Sequence, residues 1–260
     1  MRRRPGARLR VQPAWWLAAM VALALGPAFA PAGAQGQPRR SGFEDMSPAT
    51  QAMQRDDAAN PAALWLQEGR QRFVADCQRC HRSEAMRGVA ARYPAFDRAR
   101  GRVLTLGQRI AACQAEQVRG PALVPEGSAR LALEMWVANA SRGLPIAPPA
   151  DPRLAAAQDR GRALFEQRFG QLDLSCAMCH EPLAGRRLAG SLIPQGHPTG
   201  YPIYRLEWQG PGSLQRRLRG CMVGVRAEPF GYDSEEFTAL EAFLMQRAAG
   251  LPLETPGVRP

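Results

Sequence analysis

The chain has 260 residues, 22% charged and 45% hydrophobic, with a formal net charge of +11. That composition is globular and long enough for one large or two small domains, which excludes a fibrous or wholly disordered chain. All 34 basic residues are Arg, but they are dispersed and match no recognition motif, which argues against nucleic-acid binding and leaves anionic substrates or an acidic partner.

Residues 1–34 read as an export signal. Arg2, Arg3, Arg4, Arg8 and Arg10 form a basic start, an apolar run extends from Ala14 to Leu25, and Ala32-Gly33-Ala34 supplies a small-residue cleavage pattern before Gln35. The segment holds no acid, so removing its five Arg lowers the charge from +11 to +6. Its apolar run is short for a membrane span, although an uncleaved N-terminal anchor is the alternative. No later stretch is long and apolar enough to cross a bilayer, so the expected mature protein is exported and free of membrane spans.

Residues 35–60 are polar and carry Pro38 and Pro48, which suggests a linker or loosely packed arm. Helical spacing of apolar residues then runs from Ala62 to Phe73, with Pro61 near its start. It leads into Cys77-Gln-Arg-Cys80-His81, the C-x-x-C-H attachment motif of c-type haem. The chemistry sets the spacing: two thiols bond to two vinyl groups of one haem, and the adjacent imidazole becomes an iron ligand. The motif recurs as Cys176-Ala-Met-Cys179-His180, so two covalently bound haem c groups are expected. A redox pair or structural disulfides would not explain a His directly after the second Cys in both places.

The surroundings repeat as well. Gly69-Arg70 and Phe73 precede the first motif; Gly161-Arg162 and Phe165 precede the second. Thr105 to Cys113 aligns with Ser213 to Cys221, and Ala132-Leu133-Glu134 with Ala239-Leu240-Glu241. Both closing helices run out at Gly-Leu-Pro, at Gly143 and at Gly250. Helix, C-x-x-C-H, loops, Cys and terminal helix are the order of a small cytochrome c domain. The expected fold is mainly α, with two tandem cytochrome c-like domains at residues 61–150 and 151–260, each with one covalently bound haem. The boundary lies in the proline-rich stretch from Pro145 to Pro152.

Cys113 and Cys221 are left over and occupy the same slot in each repeat. The repeat favours axial pairs His81 with Cys113 and His180 with Cys221. A Cys113–Cys221 disulfide, or a Met ligand such as Met222, stays open as an alternative. Thiolate ligation stabilises ferric iron and lowers the reduction potential. The two sites differ in charge. Cys113 has Arg109 nearby, whereas Cys221 lies among Arg216, Arg217, Arg219 and Arg226, a setting that favours thiolate and anion. If the segment is helical, Arg217 and Cys221 share a face. Glu228 is a candidate to pair with Arg226, His197 in Gln-Gly-His-Pro-Thr-Gly is either a loop residue or a neighbour of the second haem, and Trp136 and Phe243 read as core.

The two C-x-x-C-H motifs, Gln195 to Gln209 and the stretch RLRGCMVGVRAEPF around Cys221 resemble the dihaem SoxA family of bacterial thiosulfate oxidation. The resemblance covers nearly all of the chain after residue 34. It implies a periplasmic L-cysteine S-thiosulfotransferase. Cys77, Cys80 and His81 would hold one haem with Cys113 distal; Cys176, Cys179 and His180 would hold the other with Cys221 distal. It further implies that Cys221 is the catalytic residue, as thiolate or persulfide, and that Arg217 contacts the substrate. Thiosulfate would be joined to a cysteine of SoxY in the SoxYZ carrier, with electrons leaving through haem to the partner cytochrome SoxX. The competing function is a dihaem electron carrier with no sulfur chemistry. A peroxidase-like enzyme is disfavoured, because it needs an open coordination site that two Cys ligands deny.

Overall fold

The computed structural model describes residues 38–118 and 120–260; the expected export signal at 1–34 lies outside them. Residues 39–260 form one compact unit, mainly helical with short strands. None of its described helices is long and apolar enough to cross a membrane.

Helix α1 (Pro48–Arg55) starts where Ser47 accepts a hydrogen bond from the Thr50 N–H and a proline opens the first turn. The stretch expected as a loose arm is therefore a folded, tethered one. Gln54 accepts from the Val258 N–H at 2.9 Å, Asn60 donates to the Pro256 carbonyl at 3.1 Å, and the Arg40 N–H donates to Gln195 at 2.9 Å. Polar composition suggested looseness, but these side chains satisfy the backbone of a distant segment instead.

Helix α2 (Ala63–Arg72) passes into a wide π turn, Phe73–Cys77, that presents the first C-x-x-C-H. A two-stranded hairpin follows, β1 (Ala95–Asp97) with β2 (Arg102–Leu104). Thr105 and Gln108 form a capping box at the start of α3 (Leu106–Cys113), and α4 (Ser128–Asn139) closes this half. The second half repeats the order. Asp151 caps α5 (Pro152–Glu166), and α6 (Cys176–His180) is the second C-x-x-C-H itself, capped by Ser175. A minor hairpin, β3 (Arg187–Leu188) with β4 (Ser191–Leu192), precedes β5 (Ile203–Arg205) and β6 (Gly210–Gly212). Ser213 caps α7 (Leu214–Gly224) and Ser234 caps α8 (Glu235–Arg247). The last strand, β7 (Gly257–Arg259), adds parallel to β5.

In each half two helices cross at a glycine. A Cβ on Gly69 of α2 would lie 2.1 Å from the Ala132 carbonyl oxygen of α4, and one on Gly161 of α5 would lie 2.0 Å from that of Ala239 on α8. The aromatic pair beside each crossing also repeats: Phe73 on Trp136 at 4.2 Å, and Phe165 on Phe243 at 5.3 Å between ring centroids. Trp136 and Phe243 are core residues, as read from sequence.

The halves meet about a local twofold seam made by the two Gly-Leu-Pro stops. Gly143 N–H donates to Leu253 and Gly250 N–H to Ile146, both at 2.8 Å; Ile146 N–H donates to Leu251 and Leu253 N–H to Leu144, both at 2.9 Å. Met245, Ala248 and Leu253 of the second half pack into the apolar core of the first, beside Leu133 and Ile146. Polar groups finish the seam. Arg130 of α4 forks onto Asp233 at 2.6 and 2.8 Å, while Gln108 of α3 donates to Thr238 of α8 at 3.0 Å. Glu134 and Glu241 face a small internal cavity of about 60 Å³ here.

Candidate active site

The first half gathers its donors around one cavity of about 590 Å³, within the range of cofactor sites. Cys77, Cys80 and His81 line it from the end of α2, Cys113 lines it from the end of α3, and Phe73, Leu106, Leu133 and Val137 supply apolar walls. Burial, then the neighbouring Cys113, pushes the Cys77 thiol up to about 11. His81 and Cys80 are exposed at the rim. Two thiols, an imidazole and a third sulfur on apolar walls are a donor set that fits a covalently attached haem.

The second half brings together the matching set. Burial, then Cys221, pushes the Cys176 thiol up to about 11, so α6 and α7 bring these two sulfurs within electrostatic reach. His180 Nδ1 lies 2.7 Å from the Pro194 carbonyl, the bond through which a ligating imidazole is oriented with Nε2 free for metal. Burial lowers the His180 pKa, and Arg217 and Arg247 add to that. Gly196, at φ +77, holds a left-handed backbone that a side chain would strain, and a Cβ there would lie 3.4 Å from the His180 ring.

All six cysteines are unpaired, so the Cys113–Cys221 bridge left open by the sequence is not formed. Met222 is buried in the core of the second half with Leu214, Phe237 and Leu240. His197 is a loop anchor: its Nδ1 lies 2.7 Å from the Arg40 carbonyl and so ties the N-terminal arm down. Glu228 makes no ion pair with Arg226 among the described residues, and both are exposed.

The four arginines around Cys221 separate once folded. Arg216 stacks on Trp208 at 4.2 Å and donates to the Pro211 carbonyl. Arg219 bonds the Phe230 carbonyl and lies over Tyr232. Arg226 is exposed in the loop after α7. Of the four, Arg217 is the one whose charge acts on both His180 and Tyr201; it is half-buried and has no ion pair or side-chain hydrogen bond among the described residues. Because α7 is a helix, Arg217 stands one turn before Cys221 on the same face, as the spacing predicted.

Two residues of this site escaped the sequence reading. Tyr201 is half-buried, and its hydroxyl pKa is raised by burial while Arg217 pulls it the other way. Arg205 ends β5 and is lowered first by burial and then by Arg217. The signal was present: Tyr-Pro-Ala-Phe-Asp at Tyr93 returns 108 positions later as Tyr-Pro-Ile-Tyr-Arg at Tyr201.

With this geometry in place, comparison with known proteins gives concordant matches. A family model described as SoxA/TsdA, cytochrome c domain, matches residues 62–146 and 160–253. The chain is 33% identical over 229 residues to the L-cysteine S-thiosulfotransferase subunit SoxA of Rhodovulum sulfidophilum, covering 85% of this chain and 80% of that one. It is 30% identical over 240 residues to the subunit of the same name from Paracoccus pantotrophus, covering 84% and 78%. The crystal structure of SoxXA from P. pantotrophus superposes with a TM-score of 0.82 at 30% identity, over 85% of this chain and 87% of that one.

Proposed function

We propose a function from an established premise: this chain belongs to the SoxA/TsdA cytochrome c family. A cytochrome c domain binds haem c covalently, and in our reading there are two, one each in residues 61–150 and 151–260. Cys77 and Cys80, and Cys176 and Cys179, form the thioethers. His81 and His180 are the proximal iron ligands, with Cys113 and Cys221 distal. The chain is the L-cysteine S-thiosulfotransferase subunit that joins thiosulfate to a cysteine of a SoxY-type carrier. It works in the periplasm as a heterodimer with a SoxX-type cytochrome. The observation that carries this reading is Arg217, half-buried and without an ion pair among the described residues, one helical turn before Cys221.

The overall step joins two sulfurs. A carrier thiol and thiosulfate become one S–S linked conjugate, with loss of one proton and two electrons. Bound haem supplies the route by which those electrons leave. Cys221 divides the reaction: its sulfur first bonds the sulfane sulfur of thiosulfate, and the carrier thiolate then attacks that sulfur and releases Cys221. Arg217 offsets the charge of the dianion as it enters and holds its sulfonate end away from the bond being formed. The α7 helix fixes the Arg–Cys spacing, so that positioning needs no rearrangement when substrate arrives.

Intact mass of the exported protein, beside a Cys221→Ala variant, tests the reading. Two covalent haems plus added sulfur after exposure to thiosulfate, lost in the variant, is the expected result. Two haems with no sulfur adduct would favour an electron carrier, and fewer than two would overturn the two-haem assignment.

A further inference from the structure

The two halves surround their lone cysteines with the same residues in the same order, with one exchange of charge. Tyr93 to Cys113 and Tyr201 to Cys221 run in register 108 positions apart. In each, Tyr-Pro leads into a three-residue strand and its hairpin partner returns in the same pairing, Asp97 opposite Arg102 and Arg205 opposite Gly210. Thr105 or Ser213 then caps a helix that carries Arg109 or Arg217 one turn before the cysteine.

In the first half the strand ends in an acid. Asp97 Oδ2 lies 3.0 Å from Arg109 Nη1 and 3.0 Å from Arg100 Nη1, and its carboxyl is only 12% exposed. The arginine in front of Cys113 is thus occupied by an anion from its own chain.

In the second half the residue in Asp97's place is Arg205. Its side chain is 13% exposed, with Nε donating to the Pro260 carbonyl at 2.8 Å and Nη2 paired at 2.5 Å with Glu207, an exposed acid. Its guanidinium lies over the Trp208 ring, 5.0 Å from the centroid. Arg217, Tyr201 and Cys221 lie within electrostatic reach of it. Arg217 has no ion pair among the described residues. The register thus places a cation in the second half where the first half has the carboxylate that holds Arg109. Arg205 is offset only by the exposed Glu207 and Arg217 by no ion pair among the described residues, so a small dianion entering here would meet positive charge that no internal acid neutralises.

We propose that Arg205 is a second anion-binding residue of the Cys221 site, gripping the sulfonate oxygens of the substrate together with Arg217, and that Asp97 closes the equivalent place beside Cys113. The proposal rests on the reading of Cys221 as the sulfur-transfer site and adds to it the charge selectivity: two guanidinium groups select a dianion over a monoanion. It also gives a physical reason why only one of two similar halves handles substrate.

The test uses the holoprotein with its cytochrome partner. Sulfate, an unreactive dianion, is titrated by calorimetry, and KM and kcat for thiosulfate are measured separately. Loss of one charge-assisted contact should weaken sulfate binding and raise KM by roughly ten- to a hundredfold in Arg205→Met, with kcat changed far less. Arg205→Lys, which keeps the charge, should recover most of the loss. Arg160→Gln removes an equal charge from an exposed pair with Glu235 and Glu236 and serves as the control. Sulfate affinity and KM in Arg205→Met within the control's range would overturn the proposal, as would a fall in kcat alone. If Arg205→Met does not load both haems, Arg205→Lys decides: a severalfold rise in KM supports the contact and a wild-type KM removes it. Sulfate binding that depends on Arg205 in a protein without conjugating activity would sink the functional reading while leaving this anion site standing.

Discussion

In the proposed function Cys221 and Arg217 set the chemistry, and each is legible by a different route. Cys221 was legible in the sequence because thioether formation fixes where four cysteines go, and the repeat then isolates the remaining two. Arg217 was legible through its four-residue spacing to Cys221 and through the family resemblance; the fold sets it apart from its neighbours by sending Arg216 onto Trp208, Arg219 onto Tyr232 and Arg226 to the surface. Replacing it as Arg217→Gln should lower kcat/KM for thiosulfate by about 10²–10³-fold, the scale of losing one preorganised charge stabiliser. The haem absorption spectrum should be unchanged, since the substitution leaves every iron ligand in place. Steady-state kinetics beside the spectrum check this; an unchanged kcat/KM would remove Arg217 from the site. Arg205 was not legible from composition, because its meaning lies in a comparison with Asp97 across two strands of only three residues each. Such strands are too short to give a hydrophobic period, and only the residue-by-residue register exposes the exchange.

At the scale of elements, the helix crossings carry the fold of each half. Glycine inside an exposed helix is normally a weakness, and Gly→Ala there gains about 1 kcal/mol. Here the sign reverses. A Cβ at Gly69 or Gly161 would be driven into the backbone of the partner helix, at Ala132 or Ala239, and backbone cannot rotate aside. Gly69→Ala and Gly161→Ala should each destabilise by about 2–3 kcal/mol, the usual penalty of overpacking. Denaturant midpoints of the holoprotein report it, and a midpoint at or above wild type would show that the helices can separate. The sequence announced these helices through apolar spacing, a Pro near the first start and the Gly-Leu-Pro stops. It announced the crossing only as Gly-Arg ahead of each C-x-x-C-H, without saying which partner helix needed the space. The arm at 39–60 was misjudged because its contacts are polar and long-range: Gln54 and Asn60 satisfy backbone groups about two hundred positions away.

Across the whole molecule, the two halves are joined by a seam that holds protons as well as apolar contacts. Burial raises Glu134 to about 7 even though Arg130 pulls it down, and burial with Glu134 beside it raises Glu241 to about 8. Asp233 and Glu126 add negative charge to the same place, Gly107 donates a backbone N–H to Glu134, and Gln215 donates to Glu241. Both acids bind their proton more tightly folded than unfolded. Their stabilisation is complete below the ordinary carboxylate value and is lost as pH rises through about 7 to 8, at no more than about 1.4 kcal/mol per pH unit for each group. Melting temperature should therefore fall from pH 5 to pH 8, and Glu241→Gln should flatten that slope; parallel curves for the two proteins would show that the seam does not titrate. The seam was half legible: the Gly-Leu-Pro repeat predicted two helix ends, but not that the ends would bind each other.

The central claim is that one half of this tandem molecule makes a sulfur–sulfur bond at Cys221. It is tested most directly on the carrier. A SoxY-type carrier is incubated with thiosulfate, the partner cytochrome and an oxidised acceptor, and its intact mass is read with wild-type protein and with Cys221→Ala. A gain of one thiosulfate per carrier cysteine, absent with the variant, is the predicted result; equal conjugation by the two proteins would contradict the account.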